Sequence, residues 1–193
     1  MIAILLGPPG AGKGTQADII CKSKKLFHFS TGNILRNEIK QKSKVGQKIK
    51  NIINAGKLVG DEIIIEIVEK IISKELSRNK GMLFDGFPRN LDQAQAFEKL
   101  IEKKKQKIDC VIHLLINKGE IIKRIQKRQL EENREDDNIK VLISRIDVYL
   151  NETRPLIDLY KKKNILKTFD GMRSINDISK DIDKVLNFNN WNF

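Results

Sequence analysis

The chain has 193 residues, 40% of them hydrophobic, which is enough for one well-buried domain and too few for two full ones. Four prolines and twelve glycines exclude a fibrous or low-complexity chain, and two distant cysteines, Cys21 and Cys110, exclude a disulfide framework, a zinc knuckle and a CxxC redox pair. With 37 Lys+Arg against 25 Asp+Glu the formal net charge is +12. That points to an anionic partner (nucleic acid, an acidic membrane surface or a nucleotide), or else to a coding bias toward lysine, isoleucine and asparagine.

Residues 2–6 are a short apolar run closed by Gly-Pro-Pro-Gly, the pattern of a strand buried on both faces. The run lacks a basic region and is too short for a signal peptide. A helix is expected over 13–24, then a strand over 26–29. Residues 30–60 carry helical patterns at 31–42 and beyond but no strand, so they form a helical excursion. Helix 61–77, strand 82–84, helix 90–104, strand 110–116 and helix 118–130 follow. A charged break at 129–137 precedes a long helical stretch at 138–162, a strand at 165–169 and a helix at 174–187. Strands alternating with helices predict a doubly wound α/β domain on a five-stranded parallel sheet. The lysine triplets at 103–105 and 161–163 read as solvated helix ends. Cys21 and Cys110 read as buried small hydrophobes of a reducing compartment. No stretch approaches the ~20 apolar residues of a membrane helix, and a cytoplasmic location is expected.

The first chemistry-bearing feature is Gly7-Pro8-Pro9-Gly10-Ala11-Gly12-Lys13-Gly14-Thr15, between a predicted strand and a predicted helix. Glycines let the backbone wrap closely around an anion. Its N–H groups and the helix N-terminus then grip phosphate, and Lys13 adds a point charge toward the β/γ-phosphates. The usual pattern puts Ser or Thr directly after the lysine; here Gly14 intervenes and the hydroxyl is Thr15.

With that departure the loop resembles those of nucleoside monophosphate kinases, adenylate kinases in particular. Similar segments continue in order: Ser30-Thr31-Gly32-Asn33-Ile34-Leu35-Arg36, Gly56-Lys57-Leu58-Val59-Gly60-Asp61-Glu62, Asp85-Gly86-Phe87-Pro88-Arg89, Arg124-Ile125-Gln126-Lys127-Arg128, Arg134-Glu135-Asp136-Asp137, Arg145 and Thr153-Arg154-Pro155-Leu156. The resemblance spans residues 1–175. It implies a phosphate-loop kinase with a core of 1–29, 60–126 and 138–193, a monophosphate-binding insertion at 30–59 and a short lid at 127–137.

It also implies roles. Gly10, Ala11, Gly12, Lys13, Gly14, Thr15, Arg124, Arg128 and Arg173 would hold ATP, with Arg124 over the adenine. Thr31, Arg36, Lys57, Leu58, Val59, Gly86, Phe87, Pro88, Arg89, Gln93, Arg134 and Arg145 would hold AMP. Lys13, Arg89, Arg128, Arg134 and Arg145 would act on the transferring group. Arginine suits this work because its planar fork binds phosphate oxygens in pairs and keeps its charge. Phosphoryl transfer needs mainly positioning and charge stabilisation. Mg²⁺ is expected near Thr15 and Asp85, held through nucleotide and water rather than by direct protein ligation. No zinc is expected, because the lid is short and lacks the cysteines of longer forms. A monophosphate acceptor is already ionised near neutral pH, with a second pKa of ~6, so no general base is required. His28 and His113 lie in strand-like runs and read as structural.

For the acceptor, Thr31 and Gln93 match the adenine-reading branch, since a glutamine amide can pair with adenine through one donor and one acceptor. Asn90, directly after Arg89, matches the pyrimidine branch instead. The reading is therefore reversible transfer between ATP and AMP giving two ADP by a monomer, with UMP/CMP kinase as the alternative. A basic nucleic-acid-binding protein with a nucleotide switch is the rival of another class. No helix-turn-helix, finger or RNA-binding sheet signature supports that rival. The tail at 188–193 has no counterpart in the family.

Overall fold

The computed structural model describes residues 1–132 and 137–188. Five strands form one sheet: β1 (Ile2–Leu6), β2 (Phe27–Ser30), β3 (Met82–Asp85), β4 (Cys110–Leu115) and β5 (Leu166–Asp170). Their order is β2-β3-β1-β4-β5, and every pairing is parallel. The expected α/β class and five-stranded parallel sheet are both present. The chain leaves β1 toward β2 on one side and later fills β4 on the other. The topological switch therefore lies at the C-terminal end of β1, where doubly wound sheets bind ligands.

Alternation along β1 explains the two-faced core. Ile2, Ile4 and Leu6 join one apolar cluster, with Phe29, Phe84 and Val111 from the neighbouring strands. Ala3 and Leu5 join the other, with Leu83, Ile112 and Leu114. Successive strand side chains point to opposite faces, so a strand covered on both sides must be apolar throughout. The first face is covered by α4 (Asp61–Glu75) and α5 (Leu91–Lys103). The second is covered by α1 (Lys13–Lys24) and α9 (Ile175–Phe188). Helix α1 has the bounds its pattern predicts.

Strand β2 starts one residue later than expected, because Leu26 N–H closes α1 by donating to Cys21 O at 3.0 Å. Strand β5 is displaced likewise, to 166–170. It has a single neighbour, and Lys167 and Thr168 are exposed, as an edge strand allows.

The excursion after β2 is α2 (Thr31–Lys40) and α3 (Lys44–Asn54). Ser30 and Ser43 cap them by accepting from Asn33 N–H and Gly46 N–H. The two helices pack closely at Gly46, where a Cβ would stand 2.1 Å from Glu38 O.

The stretch expected as one long helix at 138–162 is three pieces. Helix α7 (Ile139–Val148) runs into a π-helical turn (Tyr149–Thr153), followed by α8 (Pro155–Lys162). Pro155 has no N–H to donate and its ring crowds the carbonyl four residues back. The backbone widens instead, and Arg154 N–H donates to Tyr149 O at 2.8 Å. Helix α6 (Lys118–Glu132) precedes these and packs on α7 through Ile121, Ile125 and Leu142. Cys21 and Cys110 are buried free thiols, and burial pushes their pKa values up to about 12 and about 11. Among the described residues no helix is long and apolar enough to cross a membrane.

Candidate active site

The glycine-rich loop leaves β1 at the switch point. Gly10 and Gly12 have φ of 79° and 89°, a left-handed conformation that side chains resist. No side chain caps the N-terminus of α1. Its first turn, Lys13 to Thr15, lines a cavity of about 490 Å³ instead. Unpaired amides and the helix dipole make such a turn an anion site.

Lys13 Nζ donates to Gly7 O at 2.8 Å and Pro8 O at 3.0 Å. Burial lowers its pKa to about 8; Asp85 opposes the shift, while Arg89, Arg145 and Arg128 add to it. The register of the sheet places Asp85 opposite both Leu5 and Ser30. A Cβ on Gly14 would lie 3.9 Å from its Oδ2, so the residue that breaks the usual loop pattern adjoins this carboxylate. Burial works against the Asp85 anion, yet His28, Lys13 and Arg89 hold its pKa below the ordinary value. His28 Nε2 is 3.8 Å from Asp85 Oδ2, a charge contact rather than a hydrogen bond, and Nδ1 meets Asp18 Oδ1 at 3.0 Å. Burial works against the imidazolium as well, but the two carboxylates prevail and raise the His28 pKa. Buried His113 meets Tyr149 Oη at 3.3 Å, and burial lowers its pKa.

A smaller cavity opens between α2, α4 and the loop after β3. Thr31, Arg36, Lys57, Leu58, Val59, Gly86, Arg89, Gln93 and Arg145 line it. Arg36, Arg89 and Arg145 also line the large cavity, with Arg124 and Arg128. A third hollow joins Lys13, Pro88, Arg89 and Arg145 to the π-helical turn. Arg89 is held from both ends: its Nε donates to Gly86 O at 2.8 Å, and its carbonyl accepts from Thr153 Oγ1 at 2.7 Å. Arg36 Nη2 donates to Asn33 Oδ1 and Arg124 Nε to Glu120 Oε1.

Two expected residues stand elsewhere. Phe87 is fully buried beneath the site, in a ring cluster with Phe29, Phe84 and Phe97, so its side chain supports the loop rather than facing a ligand. Arg173 is partly exposed and paired with Asp181 at 2.7 Å. Arg134, and with it residues 133–136 of the expected lid, lies outside the described residues.

Three further residues of the site carry no motif of their own. Asp137 has a fully buried side chain that bridges Arg128, at 2.6 Å to Nε, and Arg145, at 3.1 Å to Nη1. Asp61 opens α4 and reaches Gln93, and His28 lines the large cavity. Their only sequence signal was a place inside a recognised segment or strand. Asn90, the residue that matched the pyrimidine branch, caps α5 by accepting from Gln93 N–H at 2.8 Å and donates to Asp61. It is absent from the walls of all three cavities.

Two hollows that share three arginines, the larger of them lined by a phosphate loop, suit an enzyme holding two phosphorylated molecules at once, and on fold and site the protein is a phosphate-loop phosphotransferase. Residues 5–165 match the family model described as adenylate kinase. An adenylate kinase of Prochlorococcus marinus (strain NATL1A) is 44% identical over 183 residues, covering 95% of this chain and 97% of the relative. Adenylate kinases of Chloroherpeton thalassium and a Caulobacter species are 38% and 40% identical, each over 96% of this chain and 98% of the relative. The chain belongs to the adenylate kinase family, whose members use ATP and AMP and generally require Mg²⁺.

Proposed function

We propose that the protein catalyses reversible transfer of the terminal phosphoryl group of ATP to AMP, giving two ADP. The observation that carries this reading is the sharing of Arg36, Arg89 and Arg145 by the large and small cavities. A cation set common to two nucleotide sites can bind both reacting phosphates and the charge that develops between them.

Gly10, Ala11, Gly12, Lys13, Gly14, Thr15, Arg124 and Arg128 would hold the donor. Thr31, Arg36, Lys57, Leu58, Val59, Gly86, Pro88, Arg89, Gln93 and Arg145 would hold the acceptor. Lys13, Arg89, Arg128 and Arg145 would orient the phosphates in line and stabilise the transferring group, with Arg134 joining them. Residues 30–59 would serve as the monophosphate-binding insertion and 127–137 as a lid that excludes water. The acceptor oxygen is already ionised, so Asp85 is not needed as a base.

Asp85 and Thr15 both line the donor cavity, and their oxygens are a hard set that suits Mg²⁺ held through water and phosphate. When bound, the ion supplies neutralisation of phosphate charge. A zinc-free, cytoplasmic enzyme goes with this reading, supported by the cysteine-free lid segment and the two buried free thiols.

The test is a phosphoryl-transfer screen over the nucleoside monophosphates, with conversion of ADP to ATP as the reverse check. AMP should be the best acceptor. Transfer to UMP or CMP but not AMP would overturn the acceptor assignment, and salt-sensitive RNA or DNA binding without transfer would favour the nucleic-acid reading.

A further inference from the structure

Gln93 is 2% exposed, yet it forms part of the wall of the smaller cavity. Its amide is engaged at both ends. Oε1 accepts from Arg89 N–H at 2.8 Å, and Nε2 donates to Asp61 Oδ1 at 2.7 Å. Neither partner can exchange roles: a backbone N–H only donates, and an ionised carboxylate only accepts. The amide therefore has one permitted orientation.

Asp61 is itself restrained. Asn90 Nδ2 donates to both of its oxygens, at 3.2 and 3.1 Å, while Asn90 Oδ1 is occupied in capping α5. Asp61 also begins α4, where the helix dipole favours an anion.

We infer that Asp61 is a specificity-determining residue that acts through Gln93. Each end of the amide retains one bonding position, an acceptor at Oε1 and a donor at Nε2. That edge complements a base presenting an amino group beside an unprotonated ring nitrogen, as adenine does. Hypoxanthine and guanine present the reverse order, a carbonyl beside a ring N–H. Reading them requires the amide to turn over. Its NH₂ would then meet the Arg89 N–H and its oxygen would meet the Asp61 carboxylate, two repulsive contacts in a buried site. Uracil is rejected for the same reason. Cytosine has the adenine order, so the lock does not exclude it and cavity size must.

The inference rests on the small cavity taking the acceptor base. The experiment measures kcat/KM for AMP and for IMP, with ATP and Mg²⁺, in the unaltered protein and in Asp61→Asn and Asp61→Glu. Asparagine offers a donor as well as an acceptor, so it removes one of the two restraints on the amide and leaves only the Arg89 N–H. The AMP-over-IMP ratio should fall at least about tenfold in Asp61→Asn, within the range that a bidentate base contact provides. The fall should come from a higher KM for AMP more than a lower kcat, together with a gain toward IMP. Asp61→Glu keeps an acceptor-only group and should retain most of the discrimination.

An unchanged ratio in Asp61→Asn overturns the inference while leaving the acceptor assignment intact. Equal loss in Asp61→Glu and Asp61→Asn also overturns it, since the carboxylate would then not be the cause. Failure of the unaltered protein to use AMP removes the acceptor assignment itself, which the first measurement shows before any variant is made.

Discussion

Replacing Lys13 with methionine should move activity and stability in opposite directions. The ammonium group stands among Arg89, Arg128 and Arg145, and burial with this like charge takes its pKa from 10.5 to about 8. Each pH unit of that displacement is worth ~1.4 kcal/mol, so full conversion gives roughly 3 kcal/mol of destabilisation at neutral pH. Part of the residue remains accessible to water, and the bonds to Gly7 O and Pro8 O are lost with the charge. A net gain of about 1–2 kcal/mol is the reasonable expectation.

For a chain of this length that raises Tm of the nucleotide-free protein by roughly 2–8 °C, readable by calorimetry. The same change removes the cation proposed to contact the phosphates and should lower kcat at least ~100-fold, the scale seen when one oriented transition-state donor is lost. The pH dependence follows from the sign of the shift. Below pH 8 both folded and unfolded chains hold the proton, and the penalty is complete. Between about 8 and 10.5 the unfolded chain holds it more tightly, so rising pH relieves the penalty. The Tm gap between Lys13→Met and the unaltered protein should therefore narrow across that window. A variant less stable than the parent at pH 7, or one losing less than about tenfold in kcat, would refute the reasoning.

Gly46→Ala forces a methyl against Glu38 O, where its Cβ would stand at 2.1 Å. It should cost about 1–3 kcal/mol by urea unfolding and raise KM for AMP more than for ATP; equal effects on both would detach α2 and α3 from the acceptor site. Asp137→Asn weakens the carboxylate that joins Arg128 to Arg145. Because both arginines are partly exposed, a loss of ~1–3 kcal/mol is expected rather than the full value of a buried pair. A denaturant midpoint unchanged within error would show that the bridge does not hold these helices. Chelating Mg²⁺ with EDTA should abolish transfer, and added Mg²⁺ should restore it; a zinc-selective chelator should leave it intact. Persistent activity in EDTA would remove the Mg²⁺ role assigned beside Asp85.

The features legible in the chain before folding are local. The apolar run 2–6 had to be a doubly buried strand, Gly10 and Gly12 had to turn where φ is positive, and Lys13–Lys24 had to begin a helix with an uncapped, anion-seeking end. These follow from side-chain period and backbone sterics within a few residues. The ordered motifs also named, one by one, Arg36, Arg89, Arg124, Arg128 and Arg145, which line the cavities. Their partners could not be found this way. Asp137 stands between Arg128 and Arg145, and Asp61 against Gln93, each across a separation that strand and helix periods do not encode. Those meetings depend on the packing of α6 against α7 and of α4 against α5. The role of Asn90 has the same origin. As a letter after Arg89 it matched the pyrimidine branch; in the folded chain its amide is spent on the α5 cap and on Asp61. Tertiary structure decided which polar groups still had bonding capacity for a ligand, because that capacity is what remains after distant parts of the chain have satisfied one another.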